Sequence, residues 1–415
     1  MSPAIKAPLL PNQEPSSSSS ENHGSFAGAV FNISTSIVGA GIMAIPAAFK
    51  VLAGFLMKSS LAGESTTYAG VMKESFGKSG AVAVTVVTMV VTFGSMIIFS
   101  IIIGDVISGN EKDGIIHLGL LQEWFGSHWW NTRFFERLAF SSAISFLLAL
   151  LFVVISSVLA IIALVQGKTK PPRLFPELND GGLSFFSLFT ASPVIVTAFT
   201  FHFNGKKPRT KNFMVIAVHP VAFELKDPLN VLSATRISVI LCATIYSATG
   251  LFCYLLFGDS TMTDVLMNFD QSTSSSVGSL LNDIVRLSYA IHLMLVFPLL
   301  NFSLRANLDE LLFPMKLSLV EDNKRFFALT FPLLISCFLG AIAIPDIWYF
   351  FQFLGSTSTV SIAFIFPAAI VLRNVNGFST LREKIVASVM LVLAVATSII
   401  AISTNIYTFT ATEET

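Results

Sequence analysis

Charged residues are scarce in this chain of 415 residues, since Asp, Glu, Lys and Arg together make up only 12% of it. An ordinary soluble protein carries about 25%. Basic and acidic side chains are equally numerous, so the chain lacks the positive excess that is typical of nucleic-acid-binding proteins. Cysteine is also rare, and Cys242, Cys253 and Cys337 all lie in apolar runs. This spacing excludes a disulfide framework and a cysteine metal site, and it predicts three buried thiols.

The residues that dominate instead are apolar: 53% of the chain is hydrophobic, 39 residues are Phe, and the mean hydropathy is +0.74. Nine stretches are long and apolar enough to cross a bilayer. We therefore predict an all-α polytopic membrane protein with one transmembrane domain over residues 25–412 and a disordered cytosolic tail over the Ser- and Pro-rich residues 1–24. The predicted spans lie near 27–49, 80–107, 138–165, 185–203, 231–257, 280–304, 326–345, 347–372 and 385–409.

Basic residues concentrate in alternate loops of the second half of the chain. Segment 204–230 holds several Lys and Arg, segment 258–279 holds none, and basic residues return in 305–325 and 373–384. Because basic loops stay on the cytosolic side, the pattern predicts a C-terminus on the far side of the membrane. Counting back through nine spans places the N-terminus in the cytosol.

The first apolar stretch is a poor uniform helix. Asn32 brings a polar side chain into it, Gly39, Ala40 and Gly41 carry almost no side chain, and Pro46 removes a backbone donor. Non-helical backbone at membrane depth is tolerated only inside protein or beside a wet cavity, where a broken helix points free N–H groups at a ligand. The three small residues are therefore predicted to bind a small carboxylate. The alternative is that they only allow close helix packing.

Five different motifs lie along the chain: VFNISTSIVGAGIMAIP at 30–46, RLFP at 173–176, LLFGD at 255–259, DIVRLSYAIHLMLVFP at 283–298 followed by Ser303-Leu304-Arg305, and FIFPAA at 364–369. Together they resemble the amino acid/auxin permease family, and within it the plant vacuolar amino acid transporters. Animal sodium-coupled neutral amino acid transporters are relatives of these proteins. The resemblance covers almost everything after residue 25.

The resemblance implies a fold of eleven helices, with the first ten forming two inverted halves of five and the substrate lying between broken first and sixth helices. It also implies a secondary transporter of amino acids in an endomembrane, with the vacuolar membrane first and the plasma membrane as the second possibility. The implied partners are an amino acid, H⁺ or Na⁺, and the lipid bilayer, with no cofactor. No H-E-x-x-H or G-x-S-x-G motif occurs, so an enzyme is not expected.

The chain departs from the family pattern in three places. A second helix is missing between residues 52 and 53, a fourth is missing between 135 and 136, and residues 205–217 form an additional basic segment. We therefore expect an incomplete version of the five-plus-five inverted-repeat fold with a C-terminal helix added. The alternative function is that of a non-transporting splice form or aberrant product of a transporter gene.

The family pattern places the first half of the broken sixth helix at 192–204. Phe199, Thr200, Phe201 and His202 would then face the substrate through their backbone groups. The alternative is a packing helix with a kink at Pro193.

Two residues are candidates for ion coupling. Asn32 matches the position at which sodium-coupled relatives place a cation ligand, although it could equally hydrogen-bond between helices. The partner ligand of those relatives is a Thr on the eighth helix, where this chain offers Ile291, Met294 and Val296, none of which carries a side-chain oxygen. Proton coupling or uniport is therefore favoured over sodium coupling. His292 lies at membrane depth on that helix and is a candidate because an imidazole titrates near neutral pH; the alternative is a neutral, hydrogen-bonded ring inside the bundle.

Overall fold

The computed structural model describes residues 67–112, 115–118, 138–167, 193–197, 230–258, 261, 264–269, 276–313, 322–344, 347–375, 377 and 379–413. Within these ranges, seven helices are long and apolar enough to cross a membrane. They correspond to seven of the nine predicted spans, which confirms the polytopic helical class. The predicted span near 27–49 lies outside the described residues, and that near 185–203 is described only at 193–197.

The chain is helical throughout the described part apart from one short hairpin after the first helix. Helix α1 covers Tyr68–Ser108, and antiparallel strands β1 (Gly109–Lys112) and β2 (Ile115–Leu118) follow it. The next helices are α2 (Leu138–Val165), α3 (Asn230–Phe257), the short α4 (Val265–Asn268), α5 (Ser276–Leu312) and α6 (Asn323–Ala343). Helix α7 (Ile347–Leu354) continues through π-helical turns Gly355–Thr359 and Ser361–Ile365 into α8 (Phe366–Arg373), and α9 covers Leu381–Glu413.

Helix α1 is broken at Gly77, whose φ of 70° and ψ of −160° no helical residue adopts. Glycine takes positive φ without the steric cost that a Cβ would add. The predicted span 80–107 is the segment after this break. The segment before it is tied to the end of α8, because the guanidinium carbon of Arg373 lies 4.9 Å from the centroid of the Phe76 ring.

Helix α5 lies at the centre of the bundle, where it packs against α1 and α2, while α2 also packs against α3. Leu293 of α5, Met96 and Ile98 of α1 and Cys242 of α3 are fully buried in one apolar core. All three cysteines are buried free thiols, as predicted. In α6 the buried residues are Arg325 and Cys337, whereas most of the span at Ile347–Arg373 is buried, so α6 has the exposed apolar surface expected of a helix at the periphery of a membrane bundle.

Two arginines fix α6 to the predicted cytosolic end of α5. Arg325 forms an ion pair with Asp309, with 3.0 Å between Nε and Oδ1. Arg305 donates to the hydroxyl of Thr330 at 3.0 Å, and its guanidinium carbon lies 3.9 Å from the centroid of the Phe326 ring. Both arginines are more than nine-tenths buried, so charge, π face and hydroxyl together stabilise this corner.

Candidate functional site

His292 is the one candidate coupling residue that lies within the described part of the chain. It is completely buried in the middle of α5. Its Nδ1 lies 2.7 Å from the backbone carbonyl oxygen of Ser145 on α2 and 2.8 Å from the hydroxyl oxygen of the same residue. A carbonyl oxygen only accepts, so we assign the proton of the neutral ring to Nδ1. Nε2 then carries the lone pair and is the nitrogen that can take up a proton.

A chain of aromatic rings begins at one side of this imidazole. Tyr289 lies one helical turn before His292, with 5.5 Å between ring centroids. The Tyr289 ring contacts Phe152 of α2 at 5.1 Å, and Phe152 contacts Phe269 at 6.3 Å in an edge-on arrangement. Phe269 in turn lies 5.0 Å from Phe257 at the end of α3. The rings join α2, α3, α5 and the segment after α4 into an apolar wall beside the imidazole.

The chemistry available here is the reversible uptake of one proton inside the bundle. A charge at this depth is unfavourable in an apolar environment, which makes an ionisable group here a candidate functional residue. Because Nδ1 carries a proton in both the neutral and the charged ring, the bond to the Ser145 carbonyl is compatible with either protonation state. A hydrogen-bonded ring is common to both interpretations of His292, and its coupling role stays a prediction.

A second polar region joins the segment 193–197 to the π-helical turns. A Cβ added at Gly355 would collide with the carbonyl oxygen of Pro193, so only glycine permits this approach. The Thr197 hydroxyl donates to the Pro193 carbonyl at 2.9 Å and lies 3.4 Å from the hydroxyl oxygen of Thr359. This contact brings the predicted sixth-helix region against the 347–373 span.

The π-helical turns were not predicted from the sequence, which counts Ile347 to Leu372 as an uninterrupted apolar span. The run GSTSTVS at 355–361 could have indicated these turns, because small and hydroxyl-bearing residues interrupt an otherwise apolar helix there. A π-helical turn moves some backbone carbonyls away from the N–H groups that would bind them in an α-helix, so these carbonyls need other hydrogen-bond donors. The Tyr68 hydroxyl donates to the Ile362 carbonyl at 2.9 Å, and the Thr359 hydroxyl donates to the carbonyl of Leu354 at 3.1 Å.

The remaining predicted site residues lie outside the described residues and stay predictions: Asn32, Gly39, Ala40, Gly41, Phe199, Thr200, Phe201 and His202. The nearest described position is Thr197, two residues before Phe199. Among the described residues, no group of three or more His, Cys, Asp or Glu side chains could hold a metal ion.

A bundle of membrane-length helices, with a buried imidazole and helical irregularities at its centre, defines a polytopic membrane protein of the transporter class. Residues 55–410 match the family described as "Transmembrane amino acid transporter protein". The chain belongs to this family. The match begins just after the predicted junction between residues 52 and 53.

Curated relatives agree with this assignment. "Amino acid transporter AVT6D" of Arabidopsis thaliana is 89% identical, and the comparison covers 100% of both chains. "Amino acid transporter AVT6C" of the same plant is 69% identical over 99% of this chain and 100% of the relative. "Sodium-coupled neutral amino acid transporter 7" of Danio rerio is 26% identical over 88% of this chain and 82% of that relative. The resemblance inferred from the motifs is confirmed.

The chain is shorter than its Arabidopsis relative. The comparison with AVT6D runs over 453 residues, whereas this chain has 415, so the relative has at least 38 residues without a counterpart here. This agrees in direction with the predicted loss of two helices, while the positions of both junctions stay predictions. The family is one of transporters, which confirms that the chain is not an enzyme. Relatives that match over the full length carry transporter names, so the alternative of a non-transporting product is not favoured.

Proposed function

We propose that this chain transports amino acids across the vacuolar membrane and that His292 couples transport to a proton gradient. Membership of the amino acid transporter family and the names of the AVT6 relatives support the substrate class. The vacuolar membrane follows from the resemblance of its motifs to plant vacuolar transporters. The observation that carries the coupling proposal is the buried imidazole whose Nδ1–H is held by a carbonyl on another helix.

The substrate carboxylate is assigned, within the same proposal, to the backbone N–H groups of Gly39, Ala40 and Gly41. The backbone of residues 199–202 forms the opposite side of the site. The contact between Thr197 and Thr359 supports this placement, because it brings the segment that leads into residue 199 to the interior of the bundle. Asn32 remains the candidate for a cation ligand.

Proton coupling fits the described part of α5 better than sodium coupling. A sodium ion requires hard oxygen ligands, and Ile291, Met294 and Val296 supply no side-chain oxygen on this helix. The Danio rerio relative that is named as sodium-coupled shares only 26% identity with the chain. His292, in contrast, supplies a titratable nitrogen at the same depth.

The test is transport by the purified chain in vesicles on which a proton or a sodium gradient is imposed. We expect a proton gradient alone to drive accumulation of an amino acid, and replacement of Na⁺ by K⁺ to change nothing. The substitution His292→Gln keeps a donor for the Ser145 carbonyl but removes the titratable nitrogen. It should lower gradient-driven accumulation by at least about tenfold and leave exchange of internal for external amino acid intact.

Two outcomes would contradict the coupling role. Equal loss of exchange and accumulation in His292→Gln would indicate a purely structural ring. Accumulation that follows the sodium gradient would restore the sodium interpretation and place Asn32 at its centre.

A further inference from the structure

Basic side chains from two distant segments meet where the break in α1 lies against the end of α8. Arg373, the last residue of α8, places its guanidinium carbon 4.9 Å from the centroid of the Phe76 ring. Lys73 lies about one helical turn before Phe76, and Lys78 follows directly after the break at Gly77. The contact therefore gathers three cations at one end of the bundle. We refer to Lys73, Lys78 and Arg373 as the basic corner.

The start of α9 brings two more basic residues beside this corner. The side-chain oxygen of Asn374 accepts a hydrogen bond from the Ser379 N–H at 2.8 Å, which closes the turn between α8 and α9. Helices α8 and α9 then pack against each other. Arg382 and Lys384, in the first turn of α9, therefore lie close to the end of α8.

The three side chains of the basic corner are exposed and lack acidic partners. Among the described residues, no carboxylate forms an ion pair with any of them. The Glu383 carboxylate instead accepts from the Thr380 backbone N–H at 2.9 Å and from the Thr380 hydroxyl at 3.0 Å. Glu74 is half-buried and pairs with neither lysine. The basic corner thus carries a positive charge that these carboxylates do not neutralise.

The corner formed by α5 and α6 is different, although it is also predicted to face the cytosol. Its two arginines are buried, with Arg325 paired to Asp309 and Arg305 bonded to the Thr330 hydroxyl. Those arginines stabilise a helix contact. The positive-inside rule requires only that a cytosolic loop contain basic residues. It does not require exposed and unpaired cations from distant segments to meet, which favours an anionic partner for the basic corner.

The contact between Phe76 and Arg373 also bears on the side of the membrane. Arg373 adjoins a loop that is predicted to face the cytosol. Counting through the predicted span near 27–49 would place Lys73 on the opposite side, and the contact with Arg373 argues against that count. The basic corner is therefore expected at the cytosolic surface.

Exposed apolar side chains accompany the basic residues between the end of α8 and the start of α9. Val375, Leu381 and Ile385 have exposed fractions of 54%, 75% and 56%. They lie where a span leaves the bilayer, so the acyl chains of a lipid can cover them while its headgroup reaches the cations. A soluble anion would leave this apolar surface in contact with water.

We propose that the basic corner binds the headgroup of a multiply phosphorylated membrane lipid, of the phosphoinositide type, in the cytosolic leaflet. Clusters of Lys and Arg at the cytosolic end of a membrane span attract anionic lipids. Three convergent cations suit a headgroup with several phosphates better than one with a single phosphate. The acyl chains lie along the exposed apolar side chains at the start of α9.

The test measures the affinity of a fluorescent short-chain phosphatidylinositol bisphosphate for the purified full chain in detergent micelles, by fluorescence anisotropy. We expect it to bind the wild-type chain at least about tenfold more tightly than phosphatidylserine does. Lys73→Gln, Lys78→Gln and Arg373→Gln should each raise Kd by about three- to sixfold, because each removes one basic side chain near the headgroup. Lys78→Arg keeps the charge and should bind as the wild type does. The matched control is Lys324→Gln, which removes an exposed cation from the start of α6 and should leave Kd unchanged.

Three outcomes would overturn the proposal. Equal affinity for phosphatidylserine would show that the corner does not recognise several phosphates. Equal weakening in Lys324→Gln would show a diffuse attraction of the whole surface. Competition by soluble inositol trisphosphate at the same concentration as the lipid would identify a soluble anion as the ligand. Arg373→Gln also removes the contact with Phe76, so the double variant of Lys73→Gln and Lys78→Gln, both exposed positions, replaces it if it does not fold. The measurement requires no flux and is independent of the transport proposal.

Discussion

At the scale of single residues, the group that accepts the Nδ1–H bond of His292 influences which protonation state of the ring is favoured. A carboxylate beside the imidazole would favour the charged ring, since opposite charges stabilise each other. The Ser145 carbonyl accepts the same Nδ1–H bond without supplying a full charge. Nδ1 carries its proton in both the neutral and the charged ring, so the bond to the Ser145 carbonyl is compatible with either protonation state.

Removal of the Ser145 hydroxyl should be mild, because the carbonyl that holds His292 is retained in Ser145→Ala. We expect the free energy of unfolding to fall by about 1 kcal/mol, the usual worth of one neutral hydrogen bond, and proton-driven accumulation to persist. The control is Ser157→Ala on the same helix, whose hydroxyl donates to the Val153 carbonyl at 2.7 Å. Unfolding of both variants in mixed detergent micelles gives the comparison. Loss of accumulation in Ser145→Ala alone would show that the hydroxyl, rather than the carbonyl, governs the ring.

At the scale of elements, close contacts of the 347–373 span depend on two glycines in very different surroundings. A Cβ at Gly355 would collide with the Pro193 backbone oxygen, whereas a Cβ at Gly94 of α1 would meet the tip of the Leu354 side chain at 2.6 Å. A leucine side chain can change rotamer, but a backbone carbonyl moves only with its helix. The Gly355 contact is therefore the one that fixes how close the two elements lie.

Alanine substitutions at three glycines should separate these effects. Gly355→Ala should lower the free energy of unfolding by about 3 kcal/mol or more, as overpacking against rigid backbone does. Gly94→Ala should cost about 1 kcal/mol or less, since the Leu354 side chain can yield. Gly104→Ala has no atom within 4 Å of its added Cβ and should stabilise α1 by about 0.5–1 kcal/mol. Thermal unfolding of the three variants measures the order, and equal costs at Gly355 and Gly94 would contradict it.

At the scale of the whole molecule, the spans were predictable and the contacts between them were not. An unbroken apolar run of membrane length can only be a helix in lipid, and the predicted span 138–165 coincides with α2 (Leu138–Val165). Strands of four residues are too short to show alternation, so the hairpin after α1 had no signal. The Ser145–His292 contact joins positions 147 residues apart, and no pattern within one sequence specifies such a pair.

The orientation of α9 in the membrane follows from its length and from the charges beside its start. Helix α9 spans 33 residues, about 50 Å at 1.5 Å per residue, so its two ends must lie on opposite sides of a bilayer whose apolar core is about 30 Å thick. The basic residues Arg373, Arg382 and Lys384 flank its start and predict that this end faces the cytosol.

A protease site inserted at Gly377, in the turn between α8 and α9, should be cut when protease is added to intact vacuoles. A tag after Thr415 should be cut only once detergent opens the membrane, as should a site inserted at Thr261 after α3. Cleavage at Thr261 and at the C-terminus but not at Gly377 would invert the orientation, and cleavage at both ends of α9 would show that it does not cross.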